Sequence, residues 1–169
     1  MNALDKKLQL FTDLKNEFQR KGINAYLGGS ISLLLQGYPI QRVMKNTQNS
    51  DLDIIVDKYF DTKFLDYLKQ TFDSGPQRYR EIPSNKSDVL YSFIVDGTKV
   101  DIILDDKVSK YGLSKTSLFY PSPYILAAKK RYASHHNTPS GLKHFMDLIE
   151  LQKKGLHKFT LLNAHLIKV

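Results

Sequence analysis

Three aspartates in this chain are spaced so that they could hold a metal ion. Asp51 and Asp53 open the run DLDIIVD at residues 51–57, and Asp101 lies inside the apolar run KVDIIL. The first run alternates acid and apolar residues and then becomes β-branched, which predicts a strand. Residues i and i+2 of a strand project to one face, so Asp51 and Asp53 point the same way, roughly 7 Å apart at about 3.3 Å per residue. Leu52 and Ile54 then face the core. Two like charges so close repel each other and shift a pKa or call for a counter-ion. Mg²⁺ answers that call with oxygen ligands alone. Aspartate is depleted in strand interiors and rarely buried without a partner, which singles out Asp101. The structural alternatives are a surface strand with alternating acids for the DLD pair, and for Asp101 a solvent-facing edge with Lys99, on the same strand face, as its partner.

A second candidate is the turn Gly28-Gly29-Ser30, between the strand-like NAYL (24–27) and a helix over ISLLLQ (31–36) that Gly37 and Pro39 stop. Glycine lets backbone N–H groups approach an anion, a helix start favours negative charge, and Ser30 offers a hydroxyl to a phosphate oxygen. Ser30 can equally serve as a plain N-cap.

Other elements must position these residues. Leu4, Leu8, Leu10, Phe11, Leu14 and Phe18 predict an amphipathic helix over 3–21. Residues 38–50 are polar and read as a loop. A helix is expected over 61–72, with Phe64, Leu65, Leu68 and Phe72 on its apolar face. The stretch 73–88 is weakly patterned. Two strand-like runs, 88–95 and 98–106, are joined by Asp96-Gly97, a strong hairpin signal. Helices follow over 122–136, with Ser122 as N-cap and Pro123 at the first position, over 140–155, capped by Ser140 and ended by Gly155, and over 158–169.

Composition limits the rest. With 41% hydrophobic and 25% charged residues, the 169-residue chain reads as a folded protein with one core. It has no cysteine, which removes thiolate metal sites, cysteine nucleophiles and disulfides. No apolar run is long enough for a bilayer, no signal-peptide pattern opens the chain, and a cytoplasmic address without a membrane partner is the expectation. The net charge of +8 is uneven: residues 1–106 carry 14 Lys/Arg against 15 Asp/Glu, and residues 107–169 carry 11 against 2, together with all five histidines. That basic segment is either a solvated helical surface or an attractor of polyanions.

Taken in order, a strand, GGS, a helix, a loop, DLD on a strand and a later strand with one Asp resemble the DNA polymerase beta-like nucleotidyltransferase superfamily. Its pattern is a Gly-Gly/Ser turn, an acid-x-acid pair on a strand, and a third acid on a later strand. The stretch GGSISLLLQGY…NSDLDIIVD is similar to the small prokaryotic branch of AbiEii-like toxins and minimal nucleotidyltransferases. AAKKRYASHH and LKHFMDLIEL look like that branch's Lys-bearing helix and Lys/Arg-x-x-x-Asp-Leu helix, which maps Lys129 (or Lys130), Lys143 and Asp147 onto it. The resemblance spans roughly residues 24–151. The 20 residues between Ser30 and Asp51 make a longer gap than the shortest members have.

The resemblance implies an α+β (mixed α/β) nucleotidyltransferase fold: a small mixed sheet flanked by helices and followed by a C-terminal helical segment. Residues 1–106 would form the catalytic core and 107–169 a basic helical subdomain packed on it. Asp51, Asp53 and Asp101 would be the catalytic residues and the ligands of two Mg²⁺ ions, with Mn²⁺ as a substitute. Gly28, Gly29, Ser30 and Lys129 would bind a nucleoside triphosphate such as ATP. A nucleoside monophosphate would pass to a hydroxyl of RNA or tRNA, a protein, or a small molecule such as an aminoglycoside. As an AbiEii-like toxin, the protein would have an antitoxin as its partner. From the residues alone, Lys129 could be a solvated helix residue, and Lys143 and Asp147, at i and i+4, a helix ion pair. Tyr26, Tyr38, Tyr111, Tyr120 and Tyr124 could stack a base or belong to core and rim. The competing functional classes are a non-catalytic nucleotide- or partner-binding module on the same fold, and a nucleic-acid-binding protein whose acids are structural.

Overall fold

The computed structural model describes residues 2–72, 80–81 and 89–158. The helix expected beyond residue 158 and most of the 73–88 stretch lie outside them. The fold is mixed α+β. Strands β1 (Ala25–Leu27), β2 (Leu52–Val56), β3 (Arg80–Glu81), β4 (Val89–Val95) and β5 (Thr98–Leu104) form one sheet in the order β1-β2-β5-β4-β3. The β2–β5 pair is parallel and the others are antiparallel. Asp96 and Gly97 both take positive φ (47° and 77°) in the two-residue turn between β4 and β5, the backbone that such tight hairpins require.

Helix α1 (Ala3–Arg20) buries Lys7, Phe11, Leu14, Lys15 and Phe18, a stripe at helical spacing that includes two lysines. Phe18 stands edge-on to Phe60 and Phe64, with ring centroids 5.4 Å away in each case. Alternation along β2 sends Leu52, Ile54 and Val56 into the core, all fully buried, and leaves Asp53 and Ile55 on the other face. Phe64, Leu65 and Leu68 of α4 (Thr62–Phe72) are buried as their spacing predicts.

Helix α2 runs from Gly29 to Leu35, two residues earlier than its apolar run suggests, so Ser30 lies inside its first turn and Gly28 is the N-cap residue. The expected loop over 38–50 contains helix α3 (Gln41–Lys45) and a 3₁₀ turn at Thr47–Asn49. Five helical residues are too few to show periodicity. Helix α5 (Ser122–Ala133) follows Pro121 as N-cap, so Ser122 is its first helical residue rather than its cap. Helix α6 (Pro139–Lys153) is capped by Thr138, whose side chain accepts from the Gly141 amide, and not by Ser140. One buried cluster includes Ile31, Leu52 and Ile102 together with Ile125, Leu126, Phe145, Leu148 and Leu151. Among the described residues, no helix is long and apolar enough to cross a membrane.

Candidate active site

The parallel register sets Asp53 of β2 directly beside Asp101 of β5. Neighbouring strands lie about 4.8 Å apart, so the two side chains leave the same face of the sheet as close neighbours. β5 is central and Asp101 is only 8% exposed, so it does not lie on a solvent-facing edge. Its Oδ1 accepts from the Ser92 hydroxyl at 2.5 Å, and its Oδ2 lies 3.6 Å from Lys99 Nζ. The Lys99 contact expected for a purely structural Asp101 is therefore present, alongside burial.

Electrostatics tie the three acids together. Burial raises the Asp53 pKa to about 7, with the charges of Asp101 and Asp51 adding to the rise. Burial and Asp101 likewise raise that of the more exposed Asp51, against the pull of Lys99, Lys143 and Lys7. Lys7 had no place in a reading of motifs. It is buried on α1, donates to Thr98 Oγ1 at 3.1 Å, and burial lowers its pKa while Asp51 opposes that fall. Only its place in the 7-11-14-15-18 stripe of α1 could have signalled its burial. Among the described residues, no three His, Cys, Asp or Glu side chains are gathered closely enough to hold a metal ion as they stand.

The glycine turn packs against this acid face. Gly29 has φ +67°, and a Cβ built on it would lie 2.1 Å from Asp53 Oδ2. Any side chain there would evict the carboxylate. The Gly28 amide donates to the Asp53 carbonyl at 2.9 Å, so it fastens the turn to β2 and is not free for an anion. The amides of Gly29 and Ser30, at the start of α2, have no carbonyl four residues back within the helix. Asp101 and Asp51, the acids that act on Asp53, offer carboxylate oxygens, the chemistry that Mg²⁺ and Mn²⁺ prefer. Their mutual repulsion is the kind a divalent cation relieves.

Lys129 is not a solvated residue. It is 3% exposed on α5, and its Nζ donates to Asp147 Oδ2 at 2.8 Å and lies 3.2 Å from His144 Nδ1. Asp147 also takes a fork from Arg42 of α3, at 2.6 Å and 3.3 Å. The helix pair expected between Lys143 and Asp147 is thus replaced: Asp147 turns inward to two other cations and Lys143 is exposed. Arg42 went unmarked because its segment reads as a polar loop. Burial lowers the Lys129 pKa despite Asp147, and it lowers that of His144 to about 3 with Lys129 and Lys143 adding to the fall.

A cleft of about 550 Å³ brings much of this together. Gly29, Ser30, Asp53 and Lys129 line it, as do Asp105 and Asp106 after β5 and tyrosines 59, 111, 120, 124 and 132. Asp51 and Asp101 do not line it. Asp53 and Lys129 both line it, and the Lys129 charge opposes the rise of the Asp53 pKa. No family model matches this chain, and neither does any curated protein or solved structure.

Proposed function

We propose that the protein is a divalent-metal-dependent nucleotidyltransferase that moves a nucleoside monophosphate from a nucleoside triphosphate to a hydroxyl acceptor. The observation that carries this reading is the Asp53–Asp101 register beside Gly29: two acids forced together on a sheet face, under a turn that has no room for a side chain. Asp51 and Asp53 would hold the cations, with Asp101 completing the set. A divalent cation held there would supply charge stabilisation as the acceptor hydroxyl displaces pyrophosphate at the α-phosphate. Asp101, with Oδ1 held by Ser92 and Oδ2 3.6 Å from Lys99, would take the proton of the acceptor hydroxyl. The Gly29 and Ser30 amides and the Ser30 hydroxyl bind the triphosphate oxygens, and Lys129 balances their charge. RNA or a partner protein suits the basic segment after residue 106 as acceptor, in the manner of an AbiEii-like toxin.

A non-catalytic nucleotide-binding module is the second reading. It is favoured by the engagement of Asp101 with Ser92 and Lys99. Incubation with each labelled nucleoside triphosphate, Mg²⁺ and total RNA or cell extract separates the two. The enzyme transfers label, and Asp53→Ala abolishes the transfer. Nucleotide binding with no transfer to any acceptor identifies the module.

A further inference from the structure

Part of the cleft wall is built of tyrosine. Tyr111 and Tyr124 stack with ring centroids 3.8 Å apart and planes 19° from parallel. Tyr120 lies edge-on to Tyr111 at 6.2 Å, and its hydroxyl donates to Asp105 Oδ2 at 2.6 Å. Backbone bonds from Leu27 to Leu118 and from Tyr120 to Leu27, each 2.8 Å, hold this segment beside the glycine turn. With one face against Tyr111, Tyr124 is still 39% exposed, and it lines the cleft.

On the sheet side of the cleft, β5 leads from Asp101, the neighbour of Asp53, to Asp105, about 13 Å at the usual strand rise. On its helix side, Lys129 and Tyr124 are five residues apart on α5, about 7.5 Å along the axis. Asp53 and Lys129 are thus set apart along these walls from Asp105 and Tyr124, with the Asp105 and Asp106 carboxylates beside the tyrosines and Tyr132 one turn beyond Lys129. Between them stand Ala127 and Ala128, too small to obstruct, and the apolar Ile55 and Ile103. A nucleotide offers partners for both kinds of group: charged phosphates, a ribose, and a flat base that stacks on aromatic rings.

We infer that Tyr124, backed by Tyr111, is the stacking platform for the base of a bound nucleotide, with the phosphates directed toward Asp53 and Lys129. Asp105 holds Tyr120 and thereby steadies the pair from the side. Stacking of this kind accepts any base and contributes about 1–3 kcal/mol, or roughly 5- to 100-fold in affinity. The inference rests on the nucleotide reading of the site.

The chain has no tryptophan and ten tyrosines, so the difference in tyrosine emission between wild type and Tyr124→Ala reports on the platform. Titration with ATP, UTP and inorganic tripolyphosphate, each with Mg²⁺, is the test. Both nucleotides should quench the emission and bind more tightly than tripolyphosphate. Tyr124→Ala should weaken nucleotides about 5- to 100-fold and leave tripolyphosphate unchanged, and Tyr124→Phe should restore nucleotide affinity. Tripolyphosphate binding with nucleotide affinity indifferent to Tyr124→Ala overturns the platform while the phosphate site stands. Failure of nucleotides and tripolyphosphate alike overturns the nucleotide reading and the platform with it.

Discussion

Asp53 on β2 and Asp147 on α6 are both pressed away from water, with opposite results. Burial and the neighbouring Asp101 and Asp51 push the Asp53 pKa up to about 7. At Asp147 burial also acts to raise the pKa, but the hydrogen bond from Arg42 and the charge of Lys129 outweigh it and hold the group below its ordinary value. One carboxylate has like charges for neighbours and the other has two cations within hydrogen-bond reach. A buried acid with its counter-ions supplied by the chain is a structural tie, here joining α3, α5 and α6. A half-buried acid among acids, which Lys129 and Lys99 only partly offset, calls for a further counter-ion. That difference sets the function apart from the scaffold more clearly than either group alone.

The largest break in the comparison comes at the paired acid. Asp147→Ala leaves Lys129 buried without its carboxylate, and the protein should lose about 3–5 kcal/mol by urea unfolding. A loss below about 1 kcal/mol would mean that Asp147 is not a tie. The next effect has the opposite sign. The unfolded Asp53 carboxyl ionises near its ordinary 3.8 while the folded one holds its proton to about 7. Between those values the folded state binds more protons, so metal-free stability falls as pH rises from about 4 to 7 and stays reduced above. Asp53→Asn removes that penalty. At pH 8 without metal it should stabilise the protein by about 1–3 kcal/mol, and at pH 4 by almost nothing. A destabilised Asp53→Asn at pH 8 would place Asp53 with Asp147 as a satisfied group. The smallest effect calibrates the scaffold: Thr138→Ala removes the cap of α6 and should cost about 1 kcal/mol at every pH, without altering nucleotide affinity.

The acid face was legible in the sequence because a strand's period of two needs no tertiary information. DLD announces two carboxylates on one side and Leu52 and Ile54 on the other; the structure buries both of the latter and sets Asp51, exposed, just before β2. The Asp96-Gly97 hairpin was legible for a similar local reason. The charged tie was hidden. Lys129 sits among basic residues and looks solvated, Arg42 stands in a five-residue helix without periodicity, and their common partner Asp147 is more than a hundred positions from Arg42. Lys7 and Lys15 escaped notice because a lysine can bury its stem within an apolar stripe, Lys15 with its ammonium delivered to the Ala25 carbonyl. The cap of α6 moved from Ser140 to Thr138 because two hydroxyl residues flank Pro139, and Pro139 takes the first helical position. The cleft itself is a product of packing: its tyrosines come from segments that meet only when α5 folds over the sheet.

The account stands on Asp51, Asp53 and Asp101 taking up a divalent cation. Mn²⁺ binding at pH 8, followed by electron paramagnetic resonance with a non-hydrolysable nucleoside triphosphate analogue, measures this directly. Wild-type protein should bind Mn²⁺, and Asp53→Asn should bind it more than about a hundredfold more weakly, beyond the 10–100-fold typical of lost outer-shell partners. Mn²⁺ that ignores the wild-type protein, or binds Asp53→Asn equally well, contradicts the account.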